Sequence, residues 1–410
     1  MSLEKELKIL SENVEEIIPS FGLKEKLELA KKEKRPLRIK FGADPTAPDL
    51  HLGHLVILKK LKEFQDFGHQ VIIIIGDFTA QIGDPSGRKK TRPQLSEKEV
   101  KKNAETYLGQ LGKVLDLKKL KVFFNSEWFK KMKLKEVIEI ASLFSVAQIL
   151  EREDFKERYK NQIEIKLHEF LYPLMQGYDS LKVKADIEIG GTDQKFNMLV
   201  GRFLQEAKKL PAQVVMTMPL LEGIDGKRKM SKSYGNYIGI YEKPEEIYGK
   251  TMKLPDKLII KYLKLLSSFS KKEIESFEAS LKKEKIHPKD LKAKLAFDIV
   301  AQLYGKKLAK KAQDYFITAF CRKEIPKEIP EIEVASQKIN LPEVLTKEKI
   351  FSSKSEVKRL IKQKAIKILE KKGKKTVANP LESFEVSFKK ELILKIGKKR
   401  FLKFIFKKPS

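Results

Sequence analysis

The chain has 410 residues, enough to bury a large core and, on ordinary domain sizes, to divide into about two to four domains. Lys and Arg exceed Asp and Glu by 86 to 56, a net charge of +30, which favours a polyanionic partner such as nucleic acid over a neutral one. Its one cysteine, Cys321, excludes an internal disulfide and a cysteine metal cage, and with no signal-peptide core and no apolar run of ~20 residues the expectation is a soluble, cytoplasmic protein that contacts no membrane and holds no structural metal.

Hydrophobic period and punctuation predict alternating elements in the first half. Strands are expected near 37–42, at VIIII (71–75) and at KVFF (121–124), with helices from His51 and around 97–115. A helical stretch over about 131–180 precedes a strand at ADIEI (185–189), a helix opening near Asp193 and a strand at QVVMT (213–217). That order describes a doubly wound α/β sheet whose two halves are separated by a helical insertion. From Pro244 to Phe320 the pattern is helical, and KEIPKEIPEIE (323–333) reads as a semi-rigid linker. The final block mixes a helix at SKSEVKRLIKQK with short strands near KAIKIL, ESFEVSF and ELILKI, an α+β pattern. From Leu341 onward, 21 Lys or Arg face 7 Asp or Glu, so this block is either a dedicated basic module or a strongly solvated surface.

If LRIKFG is the first strand of a parallel sheet, ADPTAPDL is the loop at its carboxyl end, where such folds bind ligands. His51 and His54 then share one helical face at a helix N-terminus that favours anions, and Gly53 permits close approach of a flat ring. A nucleoside triphosphate fits that surface, although His-x-Gly-His alone also describes ordinary surface or core histidines. Further on, KRKMSKSYGN (227–236) puts Lys229 and Lys232 in a loop after the last strand, where two ammoniums can stabilise charge growing on departing pyrophosphate. Tyr172, Gln176 and Asp179 stand at i, i+4 and i+7, one helical face, where a carboxylate could accept a hydrogen bond from a phenol.

HLGH after the first strand and KMSKS after the last resemble the paired signatures of class I aminoacyl-tRNA synthetases. With FGADPTAPDLHLGH, GDFTAQIGDPSGRKKTRP, NSEW, HEFLYPLMQGYDS, GGTDQKFN and MPLLEGIDGKRKMSKSYGN, the chain is similar to the bacterial type of tyrosyl-tRNA synthetase from about Phe41 to Tyr241, and more loosely to its end. The resemblance implies an α/β fold: a Rossmann-like catalytic domain (1–240) with a helical dimerisation insertion near 125–165, an α-helical anticodon-binding domain (241–322), a linker (323–340) and a small α+β RNA-binding domain (341–410). It implies ATP-dependent activation of tyrosine, with Mg²⁺ accompanying ATP, transfer to tRNA(Tyr), and a homodimer. Tryptophan as substrate, or a catalytically silent RNA-binding protein, are the rival readings.

Residue by residue, the resemblance assigns Asp179 to the tyrosine hydroxyl, and Tyr172, Gln176, Asp84 and Thr79 to the ammonium. Gln194 falls to the carboxylate, with Gly42 also on the tyrosine side. It assigns Gly53, Asp193, Met230, Ser231 and Lys232 to ATP, Asp193 taking the ribose, and His51, His54, Thr46, Lys229, Lys232, Arg88 and Arg92 to catalysis on the phosphates. In the last block Ser353, Lys354, Lys358, Arg359 and Lys362, with Lys398, Lys399, Arg400 and Phe401 close in space, are expected to contact RNA. One position departs from the pattern: where many members carry a tyrosine that also binds the substrate hydroxyl, this chain has Lys40, and Phe41 offers no hydrogen bond to a ribose.

Overall fold

Long β-branched runs such as VIIII belong in strands covered on both faces, and the first unit of the chain is organised around such strands. The computed structural model describes residues 2–45, 50–84, 96–322, 329–372, 375–397 and 400–407. The chain divides into two units, Met1–Gly305 and Lys306–Ser410.

Among the described residues of the first unit, β1 (Glu16–Ile18), β2 (Arg38–Ala43), β3 (Gln70–Ile75), β4 (Leu120–Phe124), β5 (Ile187–Gly191) and β6 (Val214–Met218) form one sheet in the order β1-β6-β5-β2-β3-β4. Only β1 runs antiparallel, against β6. The five parallel strands are those expected from sequence, within a residue or two. β1 escaped that reading because three residues are too short to display a period.

The order places the topological switch between β2 and β5, whose carboxyl ends open a crevice. The crossover helix Leu52–Asp66 leaves from β2, and the turn Thr192–Gln194 with the helix Lys195–Ala207 leaves from β5. The long helix Leu167–Val183 runs into β5 and packs on Lys195–Ala207, with Gly177 close against Val200 and Gly201. Between β4 and that long helix lies the insertion of short helices Ser126–Phe129, Leu134–Ala141, Val146–Leu150 and Glu153–Lys160. Its surface carries Leu134, Ile138, Val146 and Tyr159 exposed, with Leu167 83% exposed beside them.

The helical stretch through Tyr304 is held within this first unit. Pro288 starts the helix Pro288–Tyr304, and Gly305 ends it with a positive φ of 87°. Lys59, on the crossover helix, donates to the carbonyls of Leu266 and Ser267, 2.7 Å each, capping the helix Ile259–Leu266.

The second unit has its own core, including Leu341, Leu345, Val357, Ile361, Leu394 and Phe404. Its strands are β7 (Glu331–Val334), β8 (Lys338–Asn340), β9 (Ile366–Lys372), β10 (Lys375–Pro380), β11 (Glu385–Ser387), β12 (Glu391–Ile396) and β13 (Arg400–Phe406). They form a sheet ordered β10-β9-β12-β13-β7 and a pair β11-β8. The stretch read as linker, 323–340, therefore contains two strands: Ile332 and Ile339 bury their side chains, and β7 pairs in parallel with β13. Residues 323–328 lie outside the described residues.

Candidate active site

His51 is the N-cap of the crossover helix, with extended backbone (φ −130°). Its Nδ1 accepts the Gly53 N–H at 3.2 Å, and His54 Nδ1 accepts the His51 N–H at 3.2 Å, a reciprocal cap of the first turn. Because each Nδ1 accepts, the proton of each neutral ring sits on Nε2, which becomes the donor available to a ligand. Burial, then His54 and Lys229, hold the His51 imidazolium far out of reach, well below the usual imidazole range. Burial likewise lowers His54 to about 4, against the opposing pull of Asp193. The rings lie 4.0 Å apart, and a Cβ on Gly53 would stand 2.9 Å from His51 Cε1. The glycine thus makes room for the His51 ring itself.

The KMSKS segment is joined to this helix start through the backbone. Leu52 N–H donates to Ile238 O (2.9 Å), Ile240 N–H to Leu50 O (3.0 Å), and His51 bridges Gly239. Met230 is buried, and its N–H donates to Leu221 O at 2.7 Å. Asn236 folds the loop: its Oδ1 accepts the Ser231 N–H (2.8 Å), and its Nδ2 donates to Asp225 Oδ2 (3.1 Å) and to the carbonyls of Arg228 and Lys229. Lys229 Nζ reaches Asp193 Oδ2 at 2.6 Å, so the predicted phosphate ligand and the predicted ribose ligand are partners here. Ser231 caps the short turn Lys232–Tyr234.

Across the crevice, Asp179 is buried in the floor. Trp128 Nε1 donates to its Oδ1 at 2.9 Å and Asn125 Nδ2 to its Oδ2 at 3.4 Å. Burial pushes this carboxyl up to about 7, while Lys40, Trp128 and Asn125 pull it back and Glu188 adds to the rise. Asp44 accepts from the Thr79 hydroxyl and the Tyr172 hydroxyl, 2.8 Å each, and Asn125 Nδ2 donates to Thr79 Oγ1 at 3.0 Å. A Cβ on Gly76 would fall 1.9 Å from Asp44 Oδ1, so only glycine admits that carboxylate. A Cβ on Gly42 would meet nothing within 4 Å.

Gln194 Nε2 donates to Asp84 Oδ2 (2.8 Å), and the buried Asn197 donates through Nδ2 to Gln176 Oε1 (2.9 Å) and Gln194 Oε1 (3.2 Å). Arg152, from the insertion, reaches Asn197 Oδ1 (3.2 Å) and Asp84 (3.7 Å). These hydrogen bonds form two clusters, one joining Asp179, Thr79 and Tyr172 through Asn125 and Asp44, the other joining Gln176, Gln194 and Asp84 through Asn197 and Arg152, with Asp193 next to Gln194 in the chain.

Asp44, Asn125, Trp128, Asn197 and Arg152 were not picked from sequence as site residues. NSEW supplied the only signal for two of them. Lys40, left without a role, is fully buried and paired with Glu188 at 2.9 Å. Thr46, Arg88, Arg92, Lys398 and Lys399 lie outside the described residues. In the second unit Lys354, Lys358, Arg359 and Lys362 are all exposed on the helix Lys354–Lys362, whose Val357 and Ile361 are buried. Lys354 pairs with Glu343 at 2.7 Å. Arg400 lies in β13, and Phe401, expected at an RNA surface, is instead buried with Leu369 and Ala319. Alternation along β13 turns Leu402 and Phe404 to the main core and Phe401 to the opposite face, where Ala319, Leu369 and Tyr315 cover it.

Residues 31–321 match the family of class I tRNA synthetases for W and Y, and residues 322–404 match the tyrosine–tRNA ligase SYY-like C-terminal domain. The chain is 49% identical to the tyrosine–tRNA ligase of Carboxydothermus hydrogenoformans, covering 99% of each. It is 48% identical to that of Thermotoga maritima, covering 98% of this chain and 97% of the relative. Among solved structures, the tyrosyl-tRNA synthetase of Archaeoglobus fulgidus complexed with L-tyrosine superposes with a TM-score of 0.62 at 22% identity, over 76% of this chain and 100% of that one. The C-terminally truncated mitochondrial enzyme of Aspergillus nidulans does so at 0.61 and 24%, over 76% and 92%. At that identity these two speak for the fold. The family matches and the full-length identities together place the chain in the tyrosine–tRNA ligase family of class I tRNA synthetases.

Proposed function

We propose that the crevice at the carboxyl ends of β2 and β5 activates tyrosine with ATP, giving tyrosyl-adenylate and pyrophosphate, and then transfers tyrosine to the 3′ end of tRNA(Tyr). The observation that carries this reading is Asp179: a buried carboxylate held by the Trp128 and Asn125 donors, suited to accept a hydrogen bond from a phenol. A substrate lacking the hydroxyl would leave that acceptor unpaired, which is costly in a buried site.

In the first step a tyrosine carboxylate oxygen bonds to the α-phosphorus, and the bond to the bridging oxygen breaks with its electron pair leaving on pyrophosphate. The nucleophile is already ionised, so no general base is needed, and positioning and charge stabilisation do the catalysis. His51 and His54 supply Nε2 donors to the phosphates, and Lys229 and Lys232 neutralise the growing negative charge. Asp193, released by Lys229, holds the ribose. Thr46, Arg88 and Arg92 are assigned to the phosphates by family likeness. Tyr172, Asp44, Thr79, Asp84 and Gln176 surround the ammonium, and Gln194 lies near the carboxylate. Mg²⁺ enters with ATP as part of the substrate. In the second step a terminal ribose hydroxyl of the tRNA attacks the tyrosyl carbonyl and AMP departs.

The exposed Leu134, Ile138, Val146, Tyr159 and Leu167 support a homodimer formed through the insertion, since large apolar side chains left exposed along one segment suit an interface. The exposed cations of Lys354–Lys362 support phosphate contacts to tRNA by the second unit. The likeness to bacterial tyrosine–tRNA ligases supports a cytoplasmic chain; no described helix is long and apolar enough to cross a membrane. Amino-acid-dependent ATP–pyrophosphate exchange with all twenty amino acids, without tRNA, tests the reading. Exchange with tyrosine is expected. Exchange driven by another amino acid, or by none, overturns it.

A further inference from the structure

Lys40 and Glu188 face each other in register on β2 and β5, at the strand switch beneath the pocket, and both are fully buried. Lys40 Nζ donates to Gln176 O (2.8 Å), Ser180 Oγ (2.7 Å) and Glu188 Oε1 (2.9 Å), which uses all three of its hydrogens. It therefore has no donor left for a substrate. Glu188 is equally committed: Gln176 Nε2 reaches Oε1 (3.1 Å), while Ser180 Oγ (2.9 Å) and Gln213 Nε2 (2.6 Å) reach Oε2. Gln176 and Ser180 are the helical residues that bracket Asp179.

We propose that the Lys40–Glu188 pair is the positioning and charge-setting element for Asp179, and so determines the preference for tyrosine over phenylalanine without touching the amino acid. The inference rests on the reading of Asp179 as the hydroxyl-binding residue. Lys40 pins the turn of helix that carries Asp179 and supplies the cation that pulls hardest on it. The other groups facing Asp179 are Glu188 from β5, Trp128 and Asn125 from the segment after β4, and, one hydroxyl further through Thr79, Asp44 after β2. Burial raises Asp179 and Lys40 is the largest influence holding it down, ahead of its hydrogen bonds, with Glu188 the weakest influence named. Taking away both charges should leave the carboxyl protonated to higher pH; taking away Glu188 alone should do the reverse.

The test is the pH profile of kcat/KM for tyrosine and for phenylalanine in ATP–pyrophosphate exchange, between about pH 6 and 9. In Lys40→Met/Glu188→Gln, which removes a buried pair without orphaning either charge, the acid limb for tyrosine should move up by about one unit. The tyrosine-to-phenylalanine ratio should fall at neutral pH and recover as pH is raised. In Glu188→Gln alone the limb should move down. A structural lesion lowers activity at every pH and cannot shift the limb in opposite directions in two variants, and either variant alone carries the sign if the other does not fold. Wild-type activation of tyrosine together with unshifted limbs in the variants would overturn this inference while leaving the site reading intact. Absence of tyrosine activation in the wild type would overturn both.

Discussion

Trp128 Nε1 lies 2.9 Å from Asp179 Oδ1, so an indole from the insertion orients the buried carboxylate proposed to meet the tyrosine hydroxyl. The ring also packs near Phe123 and Phe129, which fixes it independently of the hydrogen bond. Trp128→Phe keeps most of that packing and deletes the donor. A hydrogen bond to a charged group is worth about 1.5–3 kcal/mol, so KM for tyrosine should rise about tenfold or more in pyrophosphate exchange, with KM for ATP little changed.

The pH dependence of activation follows from the same carboxyl. With Asp179 at about 7, it is protonated below that value and loses the charge that favours a phenol donor. Tyrosine kcat/KM should therefore climb as pH rises through about 7 and level off above it. His51 and His54 ionise only well below that range, so neither contributes a second limb near neutrality. A profile flat between about pH 6 and 8 would count against Asp179 as the hydroxyl acceptor.

Gly53→Ala places a methyl 2.9 Å from His51 Cε1, and the ring must shift. Small misplacements of catalytic donors are expensive, so kcat for activation should drop about tenfold or more while tyrosine binding, measured by equilibrium dialysis, is retained.

Lys229→Ala removes the cation now paired with Asp193. Transition-state charge stabilisation by one well-placed group is typically about 100-fold, so kcat should fall on that order with tyrosine affinity unchanged. Equal loss in kcat and in tyrosine affinity would assign Lys229 a structural role instead.

The exposed apolar surface of the insertion makes its own prediction. Ile138→Asp should shift the mass measured by light scattering from dimer to monomer. An unchanged mass would place the subunit contact elsewhere.

The parallel strands and the two signature motifs were legible because both are local: β-branched runs bounded by turns, and short strings of chemistry at strand ends. β1 was too short to show a period, and β7 and β8 were masked by the prolines and charges of the presumed linker. The pairing that explains Lys40 joins residues 40 and 188, and no local pattern announces it. A lysine in a core strand is readable only as an anomaly until the facing Glu188 is known. Asn197 was visible as the last letter of GGTDQKFN, yet its task, fixing the amides of Gln176 and Gln194, depends on three elements meeting. The i, i+4, i+7 spacing of Tyr172, Gln176 and Asp179 did place them on one helix, but not on a common partner: Tyr172 turns to Asp44 and Asp179 to Trp128.

Two backbone hydrogen bonds join Leu50 and Leu52 to Ile238 and Ile240, and a third joins Met230 to Leu221. The lysine-bearing loop is thus held by its backbone at Met230 and again at Ile238 and Ile240. A freely tethered segment would lose much conformational entropy each time it closed on a ligand, whereas one fixed at its ends keeps the Lys229 ammonium close to His51. On the role proposed for Lys229, most of the cost of ordering it is therefore met when the chain folds rather than in each catalytic cycle.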